Sequence, residues 1–256
     1  MLVKIFSYNI HGLPFLPDSW TEPLYEWFNG CDHDFVCIQE AFTPARIEGI
    51  TKSLEANGYT VLKPNDFAIR KNLMGSGLVT AVHSKRWTVR DEGFTAYEQC
   101  AGAEHLTNKG FHWLTLKSRK DGSDLIIVNT HMQADHPFNY FAGCMDTRPI
   151  RKHQMEQILA FLKGAPPHRS LLIGDLNSEE ESHENIKYLT GLNAGFRKHT
   201  FEPTGEDLDH VAIVPEIWQH YLQPLVREIS VLSRLWWSDH WPLHVTLEFN
   251  TDSKQL

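Results

Sequence analysis

The sequence predicts one α/β domain in which two packed β-sheets carry helices on their outer faces. Three observations lead there. Short β-rich runs alternate with amphipathic runs along 256 residues, with no Gly/Ser or Pro linker, repeat or low-complexity stretch between them. Several runs are apolar nearly throughout, as in Asp124-Leu125-Ile126-Ile127-Val128, which suits strands buried on both faces. A chain of this length buries about three quarters of its unfolded surface, so it needs no disulfide or metal to fold. The domain is expected over residues 1–250, with 251–256 a short tail.

In chain order, strands are expected over 2–8 and 34–39, where β-branched and aromatic residues cluster. Thr43 then caps a helix over 43–57. Pro44 takes its first position, where a missing N–H costs nothing. Strands follow at 77–83, 110–116 and 124–131. A helix over 148–163 repeats apolar residues at Ile150, Met155, Ile158, Leu159 and Leu162, and Gly164 stops it. Strands at 170–174, 208–214 and 243–249 complete the set.

Composition removes several classes. Hydrophobic residues are 41% and charged residues 22%, which excludes disorder, collagen and coiled coil as descriptions of the whole chain. No apolar run approaches the roughly 18 residues of a membrane span. Apolar and polar residues alternate from Leu2 onward, unlike a secretory signal, so the expected location is cytoplasmic or peripheral to a membrane, with secretion open for a chain starting at a mature end. The net charge of -8 gives no global attraction to phosphate backbones. Cys31, Cys37, Cys100 and Cys144 show no CxxC spacing and are expected as free, mostly buried thiols.

Chemistry gathers where the strands stop. Asn9-Ile10-His11, Gln39-Glu40, Asn129-Thr130-His131, Gly174-Asp175-Leu176-Asn177 and Asp239-His240 all sit at predicted strand ends. Sites on α/β sheets form outside such ends. Glu40 suits a hard divalent cation. Asp175 and Asn177 share one side if the chain stays extended. His240 suits a general base, and Asp239 beside it a metal ligand. Neighbours on a strand face opposite ways, so His240 needs another carboxylate, and Asp209 is the candidate. Each cluster alone has an ordinary reading as a turn, a cap or a solvated acid. Six together favour a metal-assisted hydrolytic site.

Ser7-Tyr8-Asn9, Ile38-Gln39-Glu40, Asn129-Thr130-His131, Gly174-Asp175-Leu176-Asn177, Leu208-Asp209-His210 and Ser238-Asp239-His240 occur in the order of the endonuclease/exonuclease/phosphatase superfamily, which the chain resembles from residue 7 to 242. The resemblance implies a DNase I-like four-layer α/β sandwich of two mixed sheets, and Mg²⁺-dependent cleavage of a phosphate ester, with Mn²⁺ an alternative. It implies that Glu40 holds the metal with Asn9 and Asp239 close by, and that His240 is the base oriented by Asp209. Asp175 would position the water, and Asn177 and His131 would stabilise the phosphorane oxygens.

The Trp-Cys-Asp-Arg motif of the inositol-polyphosphate phosphatases is absent before the end. Gly75-Ser76-Gly77-Leu78, Asn108-Lys109-Gly110-Phe111 and Asn129-Thr130-His131-Met132-Gln133-Ala134 look like the neutral sphingomyelinase branch. That implies a choline phospholipid at a membrane surface, with Lys109 near the substrate. Glu104 stands five residues before Lys109, where that branch has Asp. The aromatics Phe138, Tyr140 and Phe141 suit a loop that dips into lipid or covers a substrate, and Trp236 and Trp237 suit a pocket wall. Arg148, Arg151 and Lys152 keep a nucleic-acid substrate as the alternative.

Overall fold

Period-two burial along the strands sorts the apolar residues into three layers of core. The computed structural model describes residues 1–69, 71–135, 146–166, 169–178, 185–190, 199–232 and 238–250. In order, the elements are β1 (Leu2–Asn9), α1 (Glu22–Phe28), β2 (Phe35–Gln39), α2 (Pro44–Ala56), β3 (Tyr59–Leu62), β4 (Val79–His83), β5 (Trp87–Ala96), β6 (Gly110–Ser118), β7 (Asp124–His131), α3 (Arg148–Gly164), β8 (Arg169–Asp175), β9 (Lys187–Tyr188), β10 (Asp209–Ile213), β11 (Leu225–Val231) and β12 (Leu243–Glu248). One six-stranded sheet runs β11-β12-β1-β2-β4-β3 and the other β5-β6-β7-β8-β10-β9. The β1–β2 and β7–β8 pairs are parallel and the remainder antiparallel, so both sheets are mixed.

Val3, Ile5, Phe35 and Cys37 of the first sheet meet Leu125, Ile127, Leu171, Ile173 and Val211 of the second in the central core. The alternate residues face outward. Phe6, Tyr8, Val36 and Ile38 pack under Leu24, Phe28, Ile50 and Leu54 of α1 and α2. Ile126, Val128 and Leu172 pack under Met155, Ile158 and Leu162 of α3. The result is helix, sheet, sheet, helix. Thr43 caps α2 as expected, its Oγ1 accepting the Arg46 N–H at 3.3 Å.

The structure adds α1, β3, β5, β9 and β11 to the expected elements. At seven residues α1 is too short to display a helical period. β11 and β5 are edge strands with mostly exposed or half-buried residues, so their patterns are weak. Cys31 and Cys37 are buried free thiols and Cys100 is half-buried. Cys144, Phe138, Tyr140, Phe141, Trp236 and Trp237 lie outside the described residues.

His33 and His244 meet behind α1, with Nε2 of the first 2.5 Å from Nδ1 of the second. Burial, then the adjacent His244, holds His33 down to about 3. Burial also lowers His244, His83, His131 and His210, whereas His11 and His240 are raised by carboxylates. A depressed histidine leaves the unfolded chain binding more protons. Its stability is present above the unfolded value near 6.5 and is lost as pH falls toward the folded value. The raised Asp175 and Glu40 carboxylates, like the raised His11 and His240, gain stability as pH falls, but the five depressed histidines outnumber them, so Tm should fall from pH 6.5 to 4.5. Thermal unfolding followed across that range checks this, and a flat profile would contradict it.

Candidate active site

The inner-face rows of the two sheets turn from apolar to polar at one end. Along β1 the row reads Val3, Ile5, Ser7, Asn9, and along β2 Phe35, Cys37, Gln39. Along β7 it reads Leu125, Ile127, Asn129, His131, and along β8 Leu171, Ile173, Asp175. β10 runs antiparallel to β8 and begins with Asp209 directly across from Asp175. Strand register therefore delivers the polar groups to one place, and the central core ends in a polar cavity.

Buried amides hold the two sheets at a fixed spacing there. Asn129 on β7 donates through Nδ2 to Ile38 O at 3.3 Å and Val79 O at 3.1 Å on the opposing sheet. Its Oδ1 accepts from Gln39 Nε2 at 2.8 Å. Each of these residues is fully buried, so each bond replaces a hydration that is lost.

Three bends bring further side chains in. His11, Glu40 and Asn177 are the non-glycine residues with positive φ among the described residues, at 47°, 59° and 49°. Each follows a strand end, and all three line the same cavity of about 1460 Å³. Such backbone costs of order 1–3 kcal/mol per residue and persists where surrounding structure enforces it. At Glu40 the enforcement comes from Gly77, whose carbonyl accepts the Ala41 N–H at 2.9 Å. Gly77 has φ 71°, and a Cβ on it would come within 3.1 Å of Glu40 Cα, so the Gly75-Ser76-Gly77 segment is a brace behind the acid.

His240 Nδ1 lies 2.7 Å from Asp209 Oδ2, and its Nε2 is 3.6 Å from Asp175 Oδ2. Burial alone would lower its pKa, but the Asp209 and Asp175 carboxylates reverse that and raise it well above the ordinary histidine range. Burial and the like charge of Asp209 raise Asp175 against the pull of His240. Asp239 does not orient His240; it pairs with His11 Nδ1 at 3.0 Å. That pairing raises His11 and, against burial, holds Asp239 below the usual carboxylate range. His131 Nε2 stands 3.7 Å from Glu40 Oε1 and 3.6 Å from Asp175 Oδ2. Burial, then Lys109 and His240, keeps its ring neutral.

Turns and buried contacts set the surroundings of four sequence-predicted groups. Asp175 and Asn177 do not share a side by extension, because the chain turns after Asp175. Asn177 N–H donates to Asp175 Oδ1 at 2.8 Å, and its Nδ2 to Met132 O at 3.1 Å. Asn9, expected near a metal, turns its amide nitrogen toward the carboxylates, donating to Glu40 Oε1 at 3.0 Å and Asp175 Oδ2 at 2.9 Å. Its oxygen accepts the His11 N–H at 3.0 Å, so Asn9 stands directly beside Glu40 and holds the two acids in place. Lys109, expected near the substrate, is buried beneath the cavity, donating to Met132 O at 3.0 Å and pairing with Glu104 Oε2 at 2.8 Å. Arg148 and Arg151 border the cavity but pair with Asp146 and Asp135, which leaves less of a basic groove than the sequence offers. His11 had no assigned role, although it closes one of the polar strand-end clusters.

The donor set fits a hard divalent cation. Glu40 and Asp239 both line the cavity and offer carboxylate oxygens. Burial raises Glu40, with only partial relief from Lys109 and Asn9, so an added positive charge beside it would be favourable. Asp175, Asp209 and His240 also bring ligand atoms within 4.8 Å of one another. There the short hydrogen bond between His240 Nδ1 and Asp209 Oδ2 suits proton handling, while Asp209 Oδ1 stays buried with no hydrogen-bond partner.

No protein-family model matches the sequence. Sphingomyelinase C of Listeria ivanovii is 30% identical over 128 residues, 46% of this chain and 37% of that protein. Sphingomyelinase C 2 of Leptospira interrogans is 24% identical over 289 residues, 94% of this chain and 45% of that protein. The chain thus spans less than half the length of these relatives. Among solved structures, sphingomyelinase C from Streptomyces griseocarneus matches with a TM-score of 0.73 at 19% identity, covering 97% of this chain and 100% of that one. A beta toxin variant from Staphylococcus aureus with bound magnesium ions matches at 0.74 and 16%, covering 96% and 99%. D. rerio TDP2 complexed with a single-strand DNA product matches at 0.74 and 15%, covering 96% and 99%. The fold is the DNase I-like four-layer sandwich.

Proposed function

We propose that this chain, built on the fold of the endonuclease/exonuclease/phosphatase superfamily, is a divalent-metal phosphodiesterase that hydrolyses a choline phospholipid such as sphingomyelin to ceramide and phosphocholine. The observation that carries the reaction type is the Asp209–His240 pair opening, through Nε2, onto the cavity that also holds Glu40. The choline lipid comes from the two sequence relatives, both named as sphingomyelinases.

In this reading Asp209 accepts the His240 Nδ1–H and fixes the tautomer that leaves Nε2 as the base. The neutral form of His240, whose population the neighbouring carboxylates shift to higher pH, takes a proton from water through Nε2, and the water oxygen attacks phosphorus. The ester P–O bond to the lipid alcohol breaks, the departing alkoxide takes a proton from solvent water, and His240 returns its proton to solvent. Asp175, 3.6 Å from the same nitrogen, shares the water with it. Asn177 and His131 face the phosphorane oxygens. Mg²⁺ or Mn²⁺ held by Glu40 and Asp239 would supply the positive charge that stabilises the phosphate oxygens and the leaving alkoxide. The enzyme works as a peripheral protein at a lipid surface; among the described residues no helix is long and apolar enough to cross a membrane.

A nuclease of the same fold is the second reading, favoured by the likeness to a protein solved with single-strand DNA. One panel separates the two. Purified protein should release phosphocholine from detergent-dispersed sphingomyelin, leave plasmid and oligonucleotides largely intact, lose activity on chelation and regain it with Mg²⁺. Full turnover after metal stripping would remove the cation from the reading. Efficient DNA or RNA cleavage without lipid turnover would transfer the site to nucleic acid.

A further inference from the structure

Eight large apolar side chains are exposed among the described residues; Phe15 and Leu106 line the cavity, and Phe67, Ile69 and Leu73 stand on the segment that leads to Met74 in its wall. The segment bearing Leu73 lies alongside that of Leu106, because Met74 N–H donates to Leu106 O at 2.8 Å and Asn72 Nδ2 to Thr107 O at 2.6 Å. Phe67 covers Gly75, where an added Cβ would meet its ring at 3.2 Å. Ile69 is tied into the same turn through its N–H to Asp66 O at 3.0 Å.

Phe15 is 78% exposed, yet its loop is held from beneath. The buried Arg46 guanidinium donates to Leu13 O at 2.8 Å and Leu16 O at 2.7 Å. A loop fixed in advance loses little freedom on docking. Single exposed apolar residues need no explanation, but a gathered set at a substrate entrance does. The chain's net charge of -8 gives no long-range attraction to an anionic bilayer or to nucleic acid. The matching partner is an uncharged surface with apolar material just beneath its headgroups.

We propose that this lip docks on a zwitterionic lipid surface: Phe15, Phe67, Ile69, Leu73 and Leu106 enter its interfacial zone and set the cavity mouth against the headgroups. The inference rests on the lipid reading of the site and adds where and how the protein meets the lipid. It assigns this contact to segments far in sequence from the 138–141 aromatics.

Binding can be measured without turnover. In a His240→Ala background, the protein should co-sediment with phosphatidylcholine/sphingomyelin vesicles. Partitioning should change less than about twofold between 0.1 and 0.5 M NaCl, because a zwitterionic surface carries no net charge for the exposed Lys71 of the lip to pair with. Ile69→Ser with Leu73→Ser should weaken it about tenfold or more, given the apolar area withdrawn from water at each residue. Phe15→Ser should act in the same direction. With His240 intact, the Ile69/Leu73 pair of changes should leave turnover of a soluble chromogenic phosphodiester unaltered. Vesicle binding that ignores these substitutions, or that vanishes at 0.5 M NaCl, would overturn the proposal, as would a lip-dependent dimer in place of vesicle binding. Lip-dependent binding by a protein that releases no phosphocholine would sink the substrate reading and leave the docking surface standing.

Discussion

His240→Ala should lower kcat/KM on any phosphodiester the protein cleaves by about 10³-fold or more, since it removes the proposed base, whose Nε2 stands 3.6 Å from Asp175 Oδ2. Asp209→Asn should cost about 10²- to 10⁴-fold, because an amide at 2.7 Å from Nδ1 can present N–H and turn the imidazole to the wrong tautomer. The two losses should not add, as they act on one unit. Steady-state kinetics on the soluble substrate measures this, with circular dichroism to verify folding. Turnover within tenfold of the parent in His240→Ala would place the base elsewhere in the cavity.

Gly174→Ala should have the largest effect on stability. Gly174 has φ 134°, a conformation L side chains rarely adopt, and a Cβ there would stand 2.1 Å from Thr130 O on the neighbouring strand. No flexible side chain can yield, because the obstacle is backbone in the β7–β8 ladder. Separating those strands would also move Asp175 away from His131, its partner in register. The expected destabilisation is about 4 kcal/mol or more, with little soluble protein at 37 °C. Denaturant unfolding of the purified variant tests it. A Tm within a few degrees of the parent would mean that the ladder relaxes at this point.

Much of the site could be read from sequence because each catalytic strand is an apolar run that stops at a polar residue. Phe35 to Gln39 before Glu40, and Leu125 to Val128 before Asn129, are legible as core strands with something else at the end. Sequence order says nothing about backbone handedness, so the left-handed bends at His11, Glu40 and Asn177 were invisible. Those bends decide which atoms face the cavity, and for that reason Asn177 was placed by strand periodicity and His11 was given no part. Lys109 is a different case. A lysine before a strand is normally solvated; the sequence offers Glu104 five residues earlier, and the fold adds the Met132 carbonyl and the burial of the lysine. The edge strands escaped because half-exposed strands lack the contrast that marks β7 or β8.

The pairing of β1 with β12 joins Leu2 to Glu248, and the strand bearing Ser7 and Asn9 lies between β12 and β2. During synthesis the first strand emerges long before its antiparallel partner exists. Until residue 248 has left the ribosome, one edge of β1 offers unpaired N–H and C=O groups to whatever approaches. The middle of the chain does not share that delay, since β5 to β10 make up the whole second sheet and can pair among themselves. Closure is therefore a late, long-range event with a high loop entropy to overcome. Refolding from denaturant should be slow on the scale of small domains, and enzymatic competence should appear with its final phase. The same step that seals the first sheet brings in Asp239 and His240, so the candidate site stays incomplete until β12 has paired with β1.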